Sequence, residues 1–283
     1  MFAGGMEKIL ILGGTGTTGR RIARRLTAAG LPVRTASRTG ADVPFDLDNP
    51  GTWAPALDGV GAVYVLKPDM AVNPDPQAGV RGFVTAAAAA GVRRVVLLSG
   101  NGVGEADDSN PLKAVEQTVR TCGADWTILR PDWFAQNFSE SFWRLAILDG
   151  RLALPTGDGR TPFVDAEDIA DVAAAALTEE KHAGRIYYLT GPRALSFGEA
   201  ADAIGRASGR TVRHVDVSPE EFVRQQLSFG VPEPVARFLT GLLVAVRDGH
   251  GGAVADGVAE ALGRPARSFE AFAAAAAAAG AWR

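Results

Sequence analysis

Cysteine is almost absent from this 283-residue sequence, with Cys122 standing alone. An internal disulfide is thereby excluded, and a reducing compartment is expected. Histidine is nearly as scarce. His182, His214 and His250 fall in a charged loop, an expected strand and a glycine loop, without metal-ligand spacing, so no metal site is expected. Neither sign of charge dominates: 29 Lys and Arg against 32 Asp and Glu leave a formal charge of -3, too little to attract nucleic acid or an anionic membrane. No apolar run approaches the roughly 18 residues of a membrane span. Met1 to Gly5 is short and uncharged for a signal peptide, and Met6 is a candidate natural start. The expectation is a cytoplasmic protein, a monomer or homodimer. A G-x-S-x-G elbow is missing too, and with it the nucleophile of an α/β-hydrolase.

What the sequence does contain is organised around Lys8-Ile-Leu-Ile-Leu-Gly-Gly-Thr-Gly-Thr-Thr-Gly19. Ile9 to Leu12 is a continuous apolar run, the pattern of a strand buried on both faces, and it stops at glycines. From Thr18 a helix is expected with Ile22, Ala23, Leu26 and Ala29 on one face and Arg20, Arg21, Arg24 and Arg25 on the others. Gly13, Gly16 and Gly19 are spaced G-x-x-G-x-x-G. Glycine permits the unusual backbone angles of such a turn and lets a pyrophosphate approach the amides of a helix start. Thr15, Thr17 and Thr18 share that loop and are candidate cofactor contacts. Arg20 and Arg21 follow Gly19 where a P-loop needs Lys and Ser or Thr, which excludes that motif.

Val33 to Ala36 is an expected second strand, ending at Ser37-Arg38, where an NAD site usually places a carboxylate for the ribose hydroxyls. A guanidinium suits a 2′-phosphate instead, so Arg38 points to NADP(H), the alternative being a solvated loop charge. Asp46, after a third short strand at Val43 to Phe45, either accepts from an adenine amino group or caps a turn. Further strands are expected at Ala62 to Leu66, Arg94 to Leu98 and Trp126 to Leu129, with helices near 52–57, 77–90 and 111–121 between them. Strict alternation of strand and helix predicts a doubly wound parallel sheet with right-handed crossovers. Leu66-Lys67, Ser99-Gly100-Asn101 and Pro131 with Trp133 and Phe134 lie at carboxyl ends of strands, where ligands of such sheets bind.

Beyond Asp132, Trp133, Phe134, Phe138, Phe142 and Trp143 fall on what reads as one helix, either core or a wall for a flat substrate or the nicotinamide. A strand at Ile186 to Leu189 precedes two helices with capping boxes, Ser196-x-x-Glu199 and Ser218-Pro-x-Glu221, around a strand at Val212 to Val217. Asp248 to Gly252 is a glycine-rich loop, a surface connection or a lid. The expected organisation is a dinucleotide-binding domain over 1–150 and mainly a substrate lobe over 151–283, with 161–190 packing back on the main sheet.

Gly13 to Gly19, Ser37-Arg38, Val95-Val-Leu-Leu-Ser-Gly100, Trp126-Thr-Ile-Leu-Arg-Pro131, Phe134-x-x-Asn137-Phe138 and Phe163-Val-Asp-x-x-Asp168-Ile-Ala170 together resemble the NmrA-like atypical short-chain dehydrogenases/reductases. Within that group the chain is similar to bacterial NADPH quinone oxidoreductases and to ergot-alkaloid reductases. The resemblance implies a Rossmann-like fold with a smaller C-terminal α/β lobe and NADPH/NADP⁺ as cofactor. The wider superfamily carries Tyr-x-x-x-Lys on the helix after the fifth strand, working with a serine at that strand's end. Ser99 matches the serine, but the helix reads Leu112-Lys-Ala-Val-Glu116. Without the phenolic acid, hydride delivery to a quinone-like or iminium-containing electrophile is the expected reaction. Ser99, Lys113, Glu116 and Asp132 are the candidates for orientation or proton relay. The competing reading is a non-catalytic sensor of NADP(H), as some NmrA-like proteins are.

Overall fold

The computed structural model of the chain describes residues 7–66, 76–108 and 110–283. It divides into two compact units. One comprises the described parts of Met1–Pro131, Ala166–Leu189 and Gly257–Arg264, and the other Asp132–Asp165, Thr190–Asp256 and Pro265–Arg283.

In the first unit, β1 (Lys8–Leu12), β2 (Val33–Ser37), β3 (Val43–Pro44), β4 (Val60–Leu66), β5 (Arg94–Leu98) and β6 (Asp125–Pro131) are joined late in the chain by β9 (Arg185–Leu189). Their order is β3-β2-β1-β4-β5-β6-β9, and every pairing is parallel. Strand runs such as Val60 to Leu66, without polar alternation, demand cover on both faces. Leu10, Leu12, Val63, Val65 and Leu97 pack with Phe83, Val84 and Val115 of α3 (Pro76–Ala89) and α4 (Pro111–Arg120). Trp53, which opens α2 (Trp53–Leu57), and Phe45 meet Phe83 edge-on. The alternate residue Tyr64 points the other way, its hydroxyl reaching Thr18. Strand order reverses between β1 and β4, so the first glycine turn leaves the sheet at the topological switch point.

Helix α1 (Gly19–Ala28) packs on α6 (Ala166–Thr178), and arginines from the faces away from its apolar side find carboxylates there. Arg21 donates to Glu167 at 2.7 Å and Arg25 at 2.6 Å, while Arg25 also pairs with Asp171. Arg264, beyond α10 (Gly257–Leu262), bridges Asp168 at 2.8 Å and Asp171. The long arginine stems cover apolar surface and their heads find carboxylates on the next helix, which a single-helix periodicity does not reveal.

The second unit holds two small sheets. β7 (Arg151–Leu154) pairs parallel with β11 (Arg213–Asp216), and β8 (Arg160–Thr161) antiparallel with β10 (Leu195–Ser196). Its helices are α5 (Arg144–Asp149), α7 (Phe197–Ser208), α8 (Pro219–Ser228), α9 (Glu233–Arg247) and α11 (Phe269–Ala278). Ser196 and Glu199 complete both halves of a capping box on α7, and Ser218 accepts from the Glu221 amide at 3.1 Å on α8. The aromatic stretch is not one helix. Phe134 bridges Val164 in extended form, 135–138 make a 3₁₀ turn, and α5 begins only at Arg144. Ala135 donates to the Val164 carbonyl at 2.8 Å and the Val164 amide to the Trp133 carbonyl at 2.9 Å, so extended pairing with a distant segment replaces helical bonds there. Phe138 is the hub of the core that results, with Trp143, Phe163 and Phe269 rings at 4.7, 5.2 and 5.4 Å. Phe142 faces away from it, 61% exposed.

Among the described residues no helix is long and apolar enough to cross a membrane, and no group of His, Cys, Asp and Glu is placed to hold a metal.

Candidate functional site

The turn after β1 shows why each glycine is needed. Gly13 has φ +62°, and its carbonyl accepts from the Gly16 amide at 2.8 Å. A Cβ on residue 14 would lie 2.5 Å from Thr35 Cβ, and one on residue 19 would lie 2.2 Å from the Gly13 carbonyl oxygen. The loop therefore folds flat against β2 and its own start. Among the described residues no backbone acceptor meets the amides of Thr17, Thr18 and Gly19, the usual state of a helix N-terminus and a place where a pyrophosphate fits. Gly14 is a sterically required position of the turn that the three-residue spacing does not mark.

The loop threonines differ in role. Thr18 is buried and accepts from Tyr64 at 2.9 Å; burial pushes the Tyr64 phenol up, partly offset by that hydrogen bond, so it remains a protonated strut. Thr15 meets Ser37 at 3.2 Å, bringing the glycine turn against the end of β2. Ser37 donates to the Thr39 carbonyl at 2.6 Å, shaping the bend on which the exposed Arg38 sits. Asp42 supports that bend: hydrogen bonds from the Thr35 amide and hydroxyl, at 2.8 and 2.9 Å, hold its carboxyl below the usual range. Asp46 accepts from the Asp48 amide at 3.0 Å, and Thr52 ties its backbone, which gives it a turn-capping bond. Leu66 closes β4 against Gly13, and Lys67 lies outside the described residues.

At the carboxyl end of β5 a connected polar group appears. Ser99 donates to Glu116 Oε1 at 2.6 Å. The same carboxylate receives Arg130 through Nε to Oε1 at 2.9 Å and Nη2 to Oε2 at 2.6 Å, with both side chains buried. Arg130 Nη1 reaches the Tyr188 hydroxyl, and its guanidinium lies over that ring at 5.1 Å. The hydrogen bond to Glu116 raises Arg130 further and keeps it cationic. Gly104 is required beneath this group, because a Cβ there would sit 2.4 Å from the Tyr188 hydroxyl. Ser99 directly follows β5, beside the paired strand residues Arg130 and Tyr188 one step past the Leu98–Leu129 pair, and α4 lays Glu116 across them. Gly100 and Asn101 lead out of β5 into the 3₁₀ turn that ends at Gly104.

Of the four catalytic candidates, Ser99 and Glu116 are thus in contact. Lys113 turns instead to the Ala106 carbonyl at 2.8 Å and Asp108 at 3.0 Å. In the second unit Asp132 accepts from the Trp133 amide at 2.7 Å and from Thr161, with Trp133 and Phe134 half-buried beside it. Pro131 ends β6 in the first unit. Arg130 and Tyr188 went unselected by sequence, although the strand alternation that buries Tyr187 and exposes Tyr188 was available as a signal.

A family model described as NAD(P)H-binding matches residues 13–180. The uncharacterized oxidoreductase YesF of Bacillus subtilis is 39% identical over 94% of this chain and 94% of its own. The NAD(P)H azoreductase of Xenophilus azovorans is 36% identical over 96% and 98%. Among solved structures, the triphenylmethane reductase of Citrobacter sp. complexed with NADP(H) superimposes with a TM-score of 0.78 at 23% identity, covering 95% of this chain and 99% of that one.

Proposed function

From the premise that the chain belongs to the NAD(P)H-binding family of oxidoreductases, NmrA-like in fold, we propose that it takes NADPH and reduces a quinone-like or iminium-containing small molecule. The glycine turn, with the amides of Thr17 to Gly19, is the element that would hold the pyrophosphate, and Arg38 the 2′-phosphate. The dinucleotide would thus be carried by the first unit, and the second unit would supply the substrate lobe. When bound, the reduced nicotinamide supplies a hydride.

The observation that carries the substrate class is the content of α4. Where the superfamily's phenol and ammonium stand, this chain has Leu112 and Glu116, and Glu116 is consumed by Ser99 and Arg130. No group there protonates a carbonyl oxygen as hydride arrives, so the electrophile has to bear its own driving force. A quinone delocalises the product anion, and an iminium ion carries the positive charge beforehand. The azoreductase relative, by its name, reduces an azo group, itself a conjugated electrophile.

Following NADPH absorbance in the presence of a naphthoquinone, a cyclic iminium ion and an azo dye tests this reading. Turnover with one of these electrophiles supports it. Tight NADPH binding with no turnover on any of them would favour a nucleotide sensor.

A further inference from the structure

Ser99 has one proton, and the structure accounts for it. That proton points at Glu116 Oε1 across 2.6 Å. Glu116 is held by two parallel bonds from Arg130 at 2.9 and 2.6 Å in a buried site. With both oxygens taken by N–H donors of the fork, this group faces Ser99 as an acceptor. Tyr188 and the close approach of Gly104 fix the guanidinium from behind. The lone pairs of Ser99 that face away from Glu116 meet no donor among the described residues, while the residue is half-exposed on the edge of the sheet where ligands bind. A serine in this state accepts hydrogen bonds and does not donate them.

We propose that Ser99 is a polarity-locked acceptor that takes an N–H group of the bound cofactor or substrate, with Glu116 and Arg130 as the positioning residues that set its direction. The inference rests on the NADPH reading above. Two sources offer that chemistry: the carboxamide NH₂ of the nicotinamide, and an N–H on a nitrogen-containing substrate. A carbonyl oxygen finds no donor at Ser99, whose proton is already committed to Glu116, so neither the carboxamide oxygen nor the oxygen of a quinone is expected to bind at this hydroxyl.

The test compares NADPH with its acetylpyridine analogue, in which a methyl group replaces the amide NH₂, by titrating the full-length protein and its Ser99→Ala, Ser99→Thr and Glu116→Gln variants. If the carboxamide is the donor, Ser99→Ala weakens NADPH about 3- to 10-fold, the value of one neutral hydrogen bond, and leaves the analogue unchanged. Ser99→Thr, which keeps the hydroxyl, retains the wild-type ratio. Glu116→Gln reduces that ratio as Ser99→Ala does, because an amide cannot accept from Ser99 and both arms of Arg130 together. If the substrate is the donor, Ser99→Ala leaves both nucleotide affinities unchanged and raises KM for an N–H-bearing substrate but not for a quinone. Thermal melting identifies any Glu116→Gln sample that fails to fold, and the two Ser99 variants then decide. Equal weakening of both nucleotides by Ser99→Ala, or no change in any of these measurements, overturns the inference. Failure of the wild type to bind either nucleotide overturns the cofactor reading itself and this inference with it.

Discussion

A Cβ at position 19 would stand 2.2 Å from the carbonyl oxygen of Gly13. The first and last glycines of the turn therefore touch, and the loop closes on itself before the helix begins. Gly19→Ala forces that carbonyl to move, which costs ~1–3 kcal/mol of stability by overpacking and tilts the amides of residues 17–19 away from a common point. Nucleotide affinity is expected to fall by more than stability does, as measured by titration at a temperature where the variant is fully folded. Retention of wild-type affinity would detach the turn from nucleotide binding.

Arg38 stands past the Ser37 bend, which is itself pinned by Thr15 and Thr39. Replacing it with alanine is expected to reduce NADPH affinity roughly 10- to 100-fold, as for one charge-assisted pair, and to leave NADH almost untouched. Titrating both nucleotides against Arg38→Ala measures this, and an unchanged preference contradicts a role at the 2′-phosphate.

The clasp between α1 and α6 makes stability depend on acid. Burial, the largest single influence, would raise the Glu167 carboxyl, but hydrogen bonds from Arg25 and Arg21 outweigh it and hold it down at about 2, against an ordinary 4.5. A carboxyl depressed in the folded state contributes stability that is present above its unfolded value and lost as pH falls through the folded one. Melting temperature is therefore expected to drop between about pH 4.5 and about pH 2, and Glu167→Gln to flatten that part of the profile. Its readout is a series of thermal melts across that range.

Phe138 is fully buried among Trp143, Phe163, Phe197 and Phe269. Phe138→Ala is expected to cost ~3–5 kcal/mol through the lost ring and the cavity left behind. Denaturant unfolding monitored by tryptophan fluorescence measures it, with Trp143 as a local reporter. The exposed Phe142→Ala is the contrasting case, expected within about 0.5 kcal/mol of wild type.

Sequence carried the sheet well because its signal is local: each apolar run between glycines or polar turns, such as Ile9 to Leu12 or Arg94 to Leu98, maps to one strand of the parallel sheet. The glycine turn was legible for the same reason. Contacts across long separations were not. The ion pairs of Arg21 and Arg25 have no local signal, because their partners Glu167 and Asp171 lie more than 140 positions away. The aromatic segment after Asp132 read as a helix from side-chain spacing, whereas its backbone pairs with Val164. Glu116 was legible as an oddity in α4, but its meaning depends on Arg130 and Tyr188, which only the strand register brings beside it.

On the proposed function, this chain spends NADPH on electrophiles that need no phenolic acid. Stopped-flow NADPH oxidation by the wild-type protein, with a quinone, a cyclic iminium ion and a simple ketone measured side by side, tests it most directly. Turnover is expected with the quinone or the iminium ion and none with the ketone. Ketone reduction at a comparable rate would contradict it.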